Sequence, residues 1–146
     1  MAPVREKPSL TIVRRFKAAP EKVWRALTQP EAVKQWMAPK PGSSVPLAEN
    51  DVRVGGRYRI IMRTADGEEH DVSGVYREIV AGSKLVYTWA WKSTPERESL
   101  VTVELRAADG GTEMTFRHEQ FADEEARDKH QQGWTACLAS LEKYVS

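Results

Sequence analysis

The residues of this chain best suited to forming a binding site are its tryptophans. Five occur in 146 residues. Four of them fall on segments predicted to line the space between a helix and a sheet: Trp36, Trp89, Trp91 and Trp134. Small-molecule sites in proteins are mostly apolar and aromatic, with a few polar groups. Large rings also fill ordinary cores, so the sequence leaves both a ligand cavity and a packed interior open for each ring.

The histidines and the single cysteine offer acid–base, nucleophilic or metal chemistry, and their spacing limits each. His70, His118 and His130 lack metal-ligand spacing and Cys137 lacks a second thiol, so we expect no metal site and no intrachain disulfide. Cys137 is expected to be a buried, inert thiol. No Ser-His-Asp order, nucleophile elbow, phosphate-binding glycine loop or dinucleotide fingerprint occurs. We therefore predict no catalytic residue and no cofactor.

Polar side chains that face inwards would distinguish an enzyme from a carrier. The candidates are Tyr58, Tyr76, Arg53 and His118, with Glu104 if its strand faces the other way. A hydroxyl and an imidazole in an apolar pocket could orient or enolise a carbonyl substrate by general acid–base steps. The sequence does not fix their mutual geometry, so both readings stay open.

Composition limits the class of protein. The length fits one domain, and 40% hydrophobic with 29% charged residues is typical of a globular protein. Lys+Arg 22 against Asp+Glu 21 gives a net charge of +1 with no dense basic run, so we expect no nucleic-acid partner. The polar N-terminus lacks a signal core and no long apolar run exists, so no stable membrane insertion is expected and cytoplasmic is the predicted location.

A long helix near the C-terminus is the main element predicted to position these residues. Over residues 123–145, apolar or packing residues recur at three- and four-residue steps: Ala126, His130, Gly133, Trp134, Cys137, Leu138, Leu141, Tyr144 and Val145. This period indicates an amphipathic helix about 35 Å long. Asp123, Glu124 and Glu125 suit its first turn. Because such a helix is marginal alone in water, it requires an apolar surface to pack on.

The rest of the chain predicts a sheet that could supply this surface. Residues 9–17 alternate as a strand, although Arg14 breaks the apolar face. Pro20 and Pro30 then mark the first turns of two short helices. Residues 45–120 indicate six more strands, with turns at Asp66-Gly67 and at residues 109–111. Seven strands joined mostly by short turns indicate an α+β fold with one antiparallel meander.

Several ordered motifs resemble a known family. They are residues 19–28 (APEKVWRALT), 35–37 (QWM), 51–58 (DVRVGGRY), 74–79 (GVYREI) and 85–89 (LVYTW), followed by His118, His130 and Gly133-Trp134. Each motif is short, but together they span nearly the whole chain in the right order. The chain resembles the activator of heat-shock protein 90 ATPase homologue family, within the SRPBCC (START-like, helix-grip) superfamily.

The resemblance implies a helix-grip fold: a seven-stranded curved antiparallel sheet wrapped around the long C-terminal helix, with two short helices after strand 1. The expected domain is residues 9–146, preceded by a short polar tail, residues 1–8. Superfamily members typically hold an apolar cavity between helix and sheet. They include lipid carriers, polyketide cyclases and aromatases, and plant hormone receptors. Fold therefore restricts function only loosely.

From this resemblance we expect a non-enzymatic carrier or sensor that binds a small hydrophobic or aromatic molecule between helix and sheet. The predicted lining is Trp36, Met37, Tyr58, Ile60, Met62, Tyr76, Trp89, Trp91, Phe116, His118, Trp134 and Leu138. The alternatives are a polyketide cyclase- or aromatase-like enzyme and a stress-related module that contacts a chaperone. Two-domain co-chaperones carry a separate chaperone-binding domain before this one, whereas only the short tail precedes Ser9, so a chaperone partner is less expected. Either a monomer or a homodimer is compatible with the sequence.

Overall fold

A computed structural model of the protein describes residues 7–38 and 40–146. Its elements, in chain order, are β1 (Leu10–Phe16), α1 (Pro20–Thr28), α2 (Pro30–Trp36), β2 (Ser44–Asn50), β3 (Arg57–Arg63), β4 (Glu69–Val80), β5 (Lys84–Trp91), one turn of 3₁₀ helix (Pro95–Arg97), β6 (Ser99–Ala108), β7 (Gly111–Glu119) and α3 (Glu124–Val145). The predicted order of strand, two short helices, further strands and a long helix is confirmed. Most of the predicted tail, residues 1–6, lies outside the described residues.

The strands form one antiparallel sheet in the order β1-β7-β6-β5-β4-β3-β2. From β2 to β7 each strand pairs with the next one along the chain, which gives the predicted meander. β1 is added beside β7, and Leu10 pairs with His118. The curved seven-stranded sheet expected of a helix-grip fold is confirmed.

The turn between β6 and β7 shows why this meander forms locally. Asp109 and Gly110 have φ angles of 48° and 79°. Two successive residues with positive φ match the right-handed twist of the flanking strands, and Asp-Gly is among the pairs that adopt this conformation most readily. Arg15 on β1 donates a hydrogen bond to Asp109 at 2.6 Å, which ties the turn to the neighbouring strand.

Prolines begin both short helices, as predicted. Pro20 and Pro30 occupy first-turn positions, where the missing N–H has no helical acceptor to lose. The Trp36 indole then donates to the Ala26 carbonyl at 2.9 Å, which fixes α2 against α1. This pair of helices closes one end of the space between α3 and the sheet.

The long helix begins as its sequence predicts, but its buried face is narrower than the predicted stripe, because Gly133 and Tyr144 are exposed. The Asp123 carboxylate accepts from the Ala126 N–H at 2.8 Å and caps the first turn. The buried face of α3 consists of Trp134, Cys137, Leu138, Leu141 and Val145. None of the helices in residues 7–38 and 40–146 combines the length and the apolarity needed to cross a membrane.

Arg14, which interrupts the apolar alternation of β1, has a charged partner in the folded chain. It lies on the inward face of the strand, opposite Met114 of β7. Its guanidinium reaches Glu142 near the end of α3, with 3.4 Å between Nη2 and Oε2. The cation therefore joins the edge strand to the helix instead of being buried among apolar residues.

Candidate functional site

A groove with a volume of about 570 Å³ opens between α3, the loop after α2 and the ends of β3, β4 and β5. We call it the groove. Its apolar walls are Met37, Met62, Trp89, Trp91, Trp134 and Cys137. This volume falls within the roughly 300–1,000 Å³ that small-molecule sites occupy. The groove is therefore large enough for an organic ligand.

A second, much smaller hollow lies beneath α1 and α2, with a volume of about 40 Å³. Trp36, Tyr58 and Tyr76 are among its walls. A space of this size holds a water molecule but no organic ligand. Met37 and Trp89 belong to the walls of both spaces and separate this inner hollow from the groove.

The predicted lining residues are divided between these spaces. Of the predicted residues, those that line the groove are Met37, Met62, Trp89, Trp91 and Trp134. Those that line the inner hollow are Trp36, Met37, Tyr58, Ile60, Tyr76 and Trp89. Phe116, His118 and Leu138 line neither space, because all three are completely buried in the core. The interior between helix and sheet is thus largely filled, and the groove occupies only one end of it. That these residues bind a ligand stays a prediction.

His118 is held as a neutral imidazole by two hydrogen bonds. The Trp134 indole donates to Nδ1 at 3.0 Å. Because indole N–H is only a donor, the proton of a neutral His118 must lie on Nε2, which is 2.7 Å from Ser99 Oγ. Ser99 in turn donates to the Trp89 carbonyl at 3.2 Å. Burial, with a smaller effect of the neighbouring His130 ring, lowers the pKa of His118 to about 2.

His130 repeats this arrangement at the wall of the groove. Its Nε2 accepts from the Trp91 indole at 2.9 Å. Its Nδ1 lies 2.7 Å from the Ala126 carbonyl, so that nitrogen carries the proton. Burial lowers the pKa of His130, against an opposing effect of the Ala126 hydrogen bond. Both ring nitrogens of the buried His118 and of the half-buried His130 are therefore occupied within the protein.

The polar side chains that would favour an enzyme do not meet at the groove. The Tyr58 hydroxyl donates to the Thr88 carbonyl, and Tyr76 accepts from Asn50 at 3.3 Å. Arg53 pairs with its neighbour Asp51 in the loop after β2. Glu104 is exposed on the outer face of β6. Across residues 7–38 and 40–146, no three His, Cys, Asp or Glu side chains are grouped to hold a metal ion.

Cys137 lies deep in the groove as a protonated thiol. It donates to the Met37 carbonyl with 3.4 Å between sulfur and oxygen. Burial raises its pKa to about 12. Because the thiolate is the reactive form, this geometry agrees with the inert role expected from the sequence.

Gly133 leaves the helical wall of the groove open. It lies within α3 and lines the groove, and a Cβ added there would meet no atom within 4 Å. A glycine inside a helix lowers stability relative to alanine because it gains more backbone freedom on unfolding. The missing side chain therefore enlarges the groove at the expense of helix stability.

Gly133→Ala should raise the free energy of unfolding by about 0.5–1 kcal/mol, since alanine removes the helix penalty without a clash. Urea unfolding followed by circular dichroism would measure this as a higher midpoint at an unchanged slope. A lower midpoint would mean that the helix backbone at Gly133 tolerates no side chain.

The charged mouth of the groove was not predicted from the sequence. Lys40, Arg63 and Lys129 line it from three different elements. Only Lys129 carried a local signal, because it precedes Gly133 by four residues and so shares its helix face. Phe121, which was also missed, packs between His118 and His130 at ring-centroid distances of 4.2 and 5.0 Å.

Comparison with known proteins gives a consistent family and fold. The sequence pattern of the family described as Activator of Hsp90 ATPase homolog 1-like protein matches residues 17–146. Protein CV1439 from Chromobacterium violaceum superimposes with a TM-score of 0.85 at 27% identity, over 94% of this chain and 96% of that one. An uncharacterised protein from Rhizobium leguminosarum gives 0.81 at 32% identity, over 96% and 95%.

A more distant structure has the same fold. CalU16 from Micromonospora echinospora superimposes with a TM-score of 0.73 at 23% identity, over 94% of this chain and 76% of that one. At this identity the similarity concerns the fold alone. No curated protein sequence matches the chain.

Proposed function

The chain belongs to the Activator of Hsp90 ATPase homolog 1-like family, and on this basis we propose that it binds a small hydrophobic, aromatic molecule in the groove. It would act as a carrier or sensor without chemistry of its own. The family shares a fold that suits ligand binding, and the site within this chain supplies the more specific argument.

The observation that carries the proposal is the aromatic wall beside an open helix position. The rings of Trp89 and Trp91 meet edge to face at 5.4 Å, and those of Trp89 and Trp134 lie 4.9 Å apart. Gly133 lines the same groove and leaves space there, because it has no side chain. A flat apolar ligand in this space would contact indole rings in offset or edge geometries, which are the favourable ones for aromatic pairs.

The hydrogen-bonding state of the histidines favours binding over catalysis. A general base must reach the proton that it removes. His130, which is half-buried at the wall of the groove, uses one ring nitrogen for Trp91 and the other for Ala126. His118 is buried away from the groove. The groove therefore offers surface and shape, and we assign it no bond-breaking step.

Gly133→Trp should abolish binding, because the new ring would occupy the groove where Gly133 leaves it open. The probe is N-phenylnaphthylamine (NPN), a neutral aromatic dye whose fluorescence rises in apolar surroundings. We expect saturable micromolar binding to the wild type and at least about tenfold weaker binding to Gly133→Trp, a difference of about 1.4 kcal/mol.

Gly133→Ala is the matched control, since it changes the same backbone position but adds only one methyl group. It should bind NPN as the wild type does, and circular dichroism should show that both variants are folded. Wild-type protein that fails to bind NPN, or equal binding by Gly133→Trp, would refute the proposed site.

A further inference from the structure

We propose that the natural ligand of the groove is an aromatic acid, whose ring packs against the tryptophans and whose anionic group lies at the mouth between Lys40, Arg63 and Lys129. This inference rests on the proposed function and specifies its ligand class. The shared chemistry is an aromatic body with one negative charge, whether carboxylate or sulfonate.

The charges that line the groove carry this inference. Three Lys or Arg residues line the groove among the described residues, and no Asp or Glu does: Lys40, Arg63 and Lys129. The chain as a whole is nearly balanced, with 22 Lys+Arg and 21 Asp+Glu. The excess of positive charge at the groove is therefore local and does not follow from overall composition. Such a field attracts anions and raises their concentration at the site.

The existing partners of these cations leave them available. Arg63 pairs with Glu69 at 2.6 Å, and Lys129 with Glu125 at 3.1 Å, but neither carboxylate lines the groove. Exposed pairs of this kind contribute little and are screened by salt. Lys40 has no carboxylate within 4.0 Å among the described residues. A ligand anion can thus interact with Arg63 and Lys129 alongside their carboxylate partners, and it can pair directly with Lys40.

The polarity changes with depth in a way that suits an amphipathic acid. Trp89 and Trp134 are 3% and 4% exposed, whereas the side chains of Arg63 and Lys129 are 49% and 74% exposed. An apolar ring would enter first, and its charged group would stay near water. This arrangement avoids the large cost of burying a charge in an apolar interior.

The histidines at the groove do not supply the anion site. His130 is engaged at both ring nitrogens by Trp91 and Ala126. His70 lies 4.0 Å from Glu68, and its ring meets the Trp91 ring edge to face. The preference for an anion is therefore assigned to the lysines and the arginine.

The test compares two dyes that differ by one charged group. NPN is neutral, and anilinonaphthalenesulfonate (ANS) has the same aromatic rings with a sulfonate. We expect ANS to bind the wild type roughly fivefold more tightly than NPN at low salt. Raising NaCl from about 50 to about 500 mM should weaken ANS binding and leave NPN binding unchanged, because screening acts on charges alone.

The double variant Lys40→Gln/Arg63→Gln should lose roughly the same fivefold preference, so that it binds ANS no more tightly than NPN. Lys22→Gln/Arg57→Gln is the control, because both residues are exposed and lie outside the groove. These two substitutions remove the same amount of positive charge as the test variant. The control should keep the preference.

The possible results separate this inference from the proposed function. Wild-type protein that binds NPN and ANS equally would refute the acid preference and leave the groove as a neutral site. An equal loss of ANS binding in the control would assign the preference to overall charge and would also refute it. Absence of binding for both dyes would refute the proposed function and the inference together.

Discussion

Trp134→Ala should lower the free energy of unfolding by about 3–5 kcal/mol, the usual cost of removing a large buried aromatic side chain. The Trp134 ring packs on Trp89 at 4.9 Å and on Phe116 at 4.5 Å, so its loss leaves a cavity between α3 and the sheet. Its indole also provides the donor for His118 Nδ1. Urea unfolding at neutral pH measures the change, and NPN binding should fall in any variant that stays folded.

Two phenylalanine variants separate the hydrogen bond from the packing. Trp134→Phe keeps an aromatic ring but leaves His118 Nδ1 without a donor. The unsatisfied acceptor should lower the free energy of unfolding by an additional amount of about 1–3 kcal/mol. Trp89→Phe is the matched control, because Trp89 Nε1 is buried and has no hydrogen-bond partner among the described residues. Removing that donor costs no hydrogen bond, so Trp89→Phe should be the less destabilising of the two. The reverse order would remove the Trp134–His118 hydrogen bond from this account of stability.

Stability should fall by about 2 kcal/mol between about pH 8 and about pH 5 through His118 alone. The ordinary pKa of histidine is 6.5, and burial lowers that of His118 to about 2. Between these values the unfolded chain binds a proton that the folded chain does not. The contribution is therefore complete above about pH 6.5 and is lost as the pH falls, at up to about 1.4 kcal/mol per pH unit. His130, whose pKa is also lowered, acts in the same direction.

The histidines and the arginine-paired carboxylates titrate in different pH ranges. Hydrogen bonds from Arg59 and Arg106 hold the pKa values of Asp71 and Glu113 below their usual 3.8 and 4.5. Loss of stability above about pH 5 therefore reports the histidines. Urea unfolding at several pH values gives the slope.

His118→Gln should be less stable than the wild type at about pH 8 but should show a shallower slope towards about pH 5. Glutamine can still accept from Trp134 and donate to Ser99, yet it does not titrate. In the wild type, NMR of the imidazole nitrogens should show the proton of His118 on Nε2 at about pH 5. Equal slopes in the two proteins, or a doubly protonated His118 at that pH, would contradict this explanation.

Local signals made most of the fold predictable. The three- and four-residue spacing of α3, its capping Asp123 and the two prolines that begin α1 and α2 all act within one turn of helix. The Asp109-Gly110 turn similarly fixes a hairpin from adjacent residues. The pairing of β1 with β7 was not predicted, because residues distant in sequence give no local signal of their pairing.

The candidate site was only partly predictable, for a physical reason. Alternation shows which side chains face inwards, but it does not show which part of that face the helix covers. Phe116 and Leu138 face inwards and are covered, whereas Met62 and Trp91 lie where the groove opens. The dividing wall of Met37 and Trp89 and the basic mouth both arise from elements that meet only in the folded chain.

The pairing of β1 with β7 imposes an order of events during synthesis of the protein. β2 to β7 pair as successive hairpins, so they can form as each strand leaves the ribosome. Leu10 cannot pair until His118 has been synthesised, so the edge of β1 stays unpaired until β7 has been made. The groove, which needs both the loop after α2 and the body of α3, is therefore completed last. In a nascent chain the groove cannot be complete until α3 has left the ribosome.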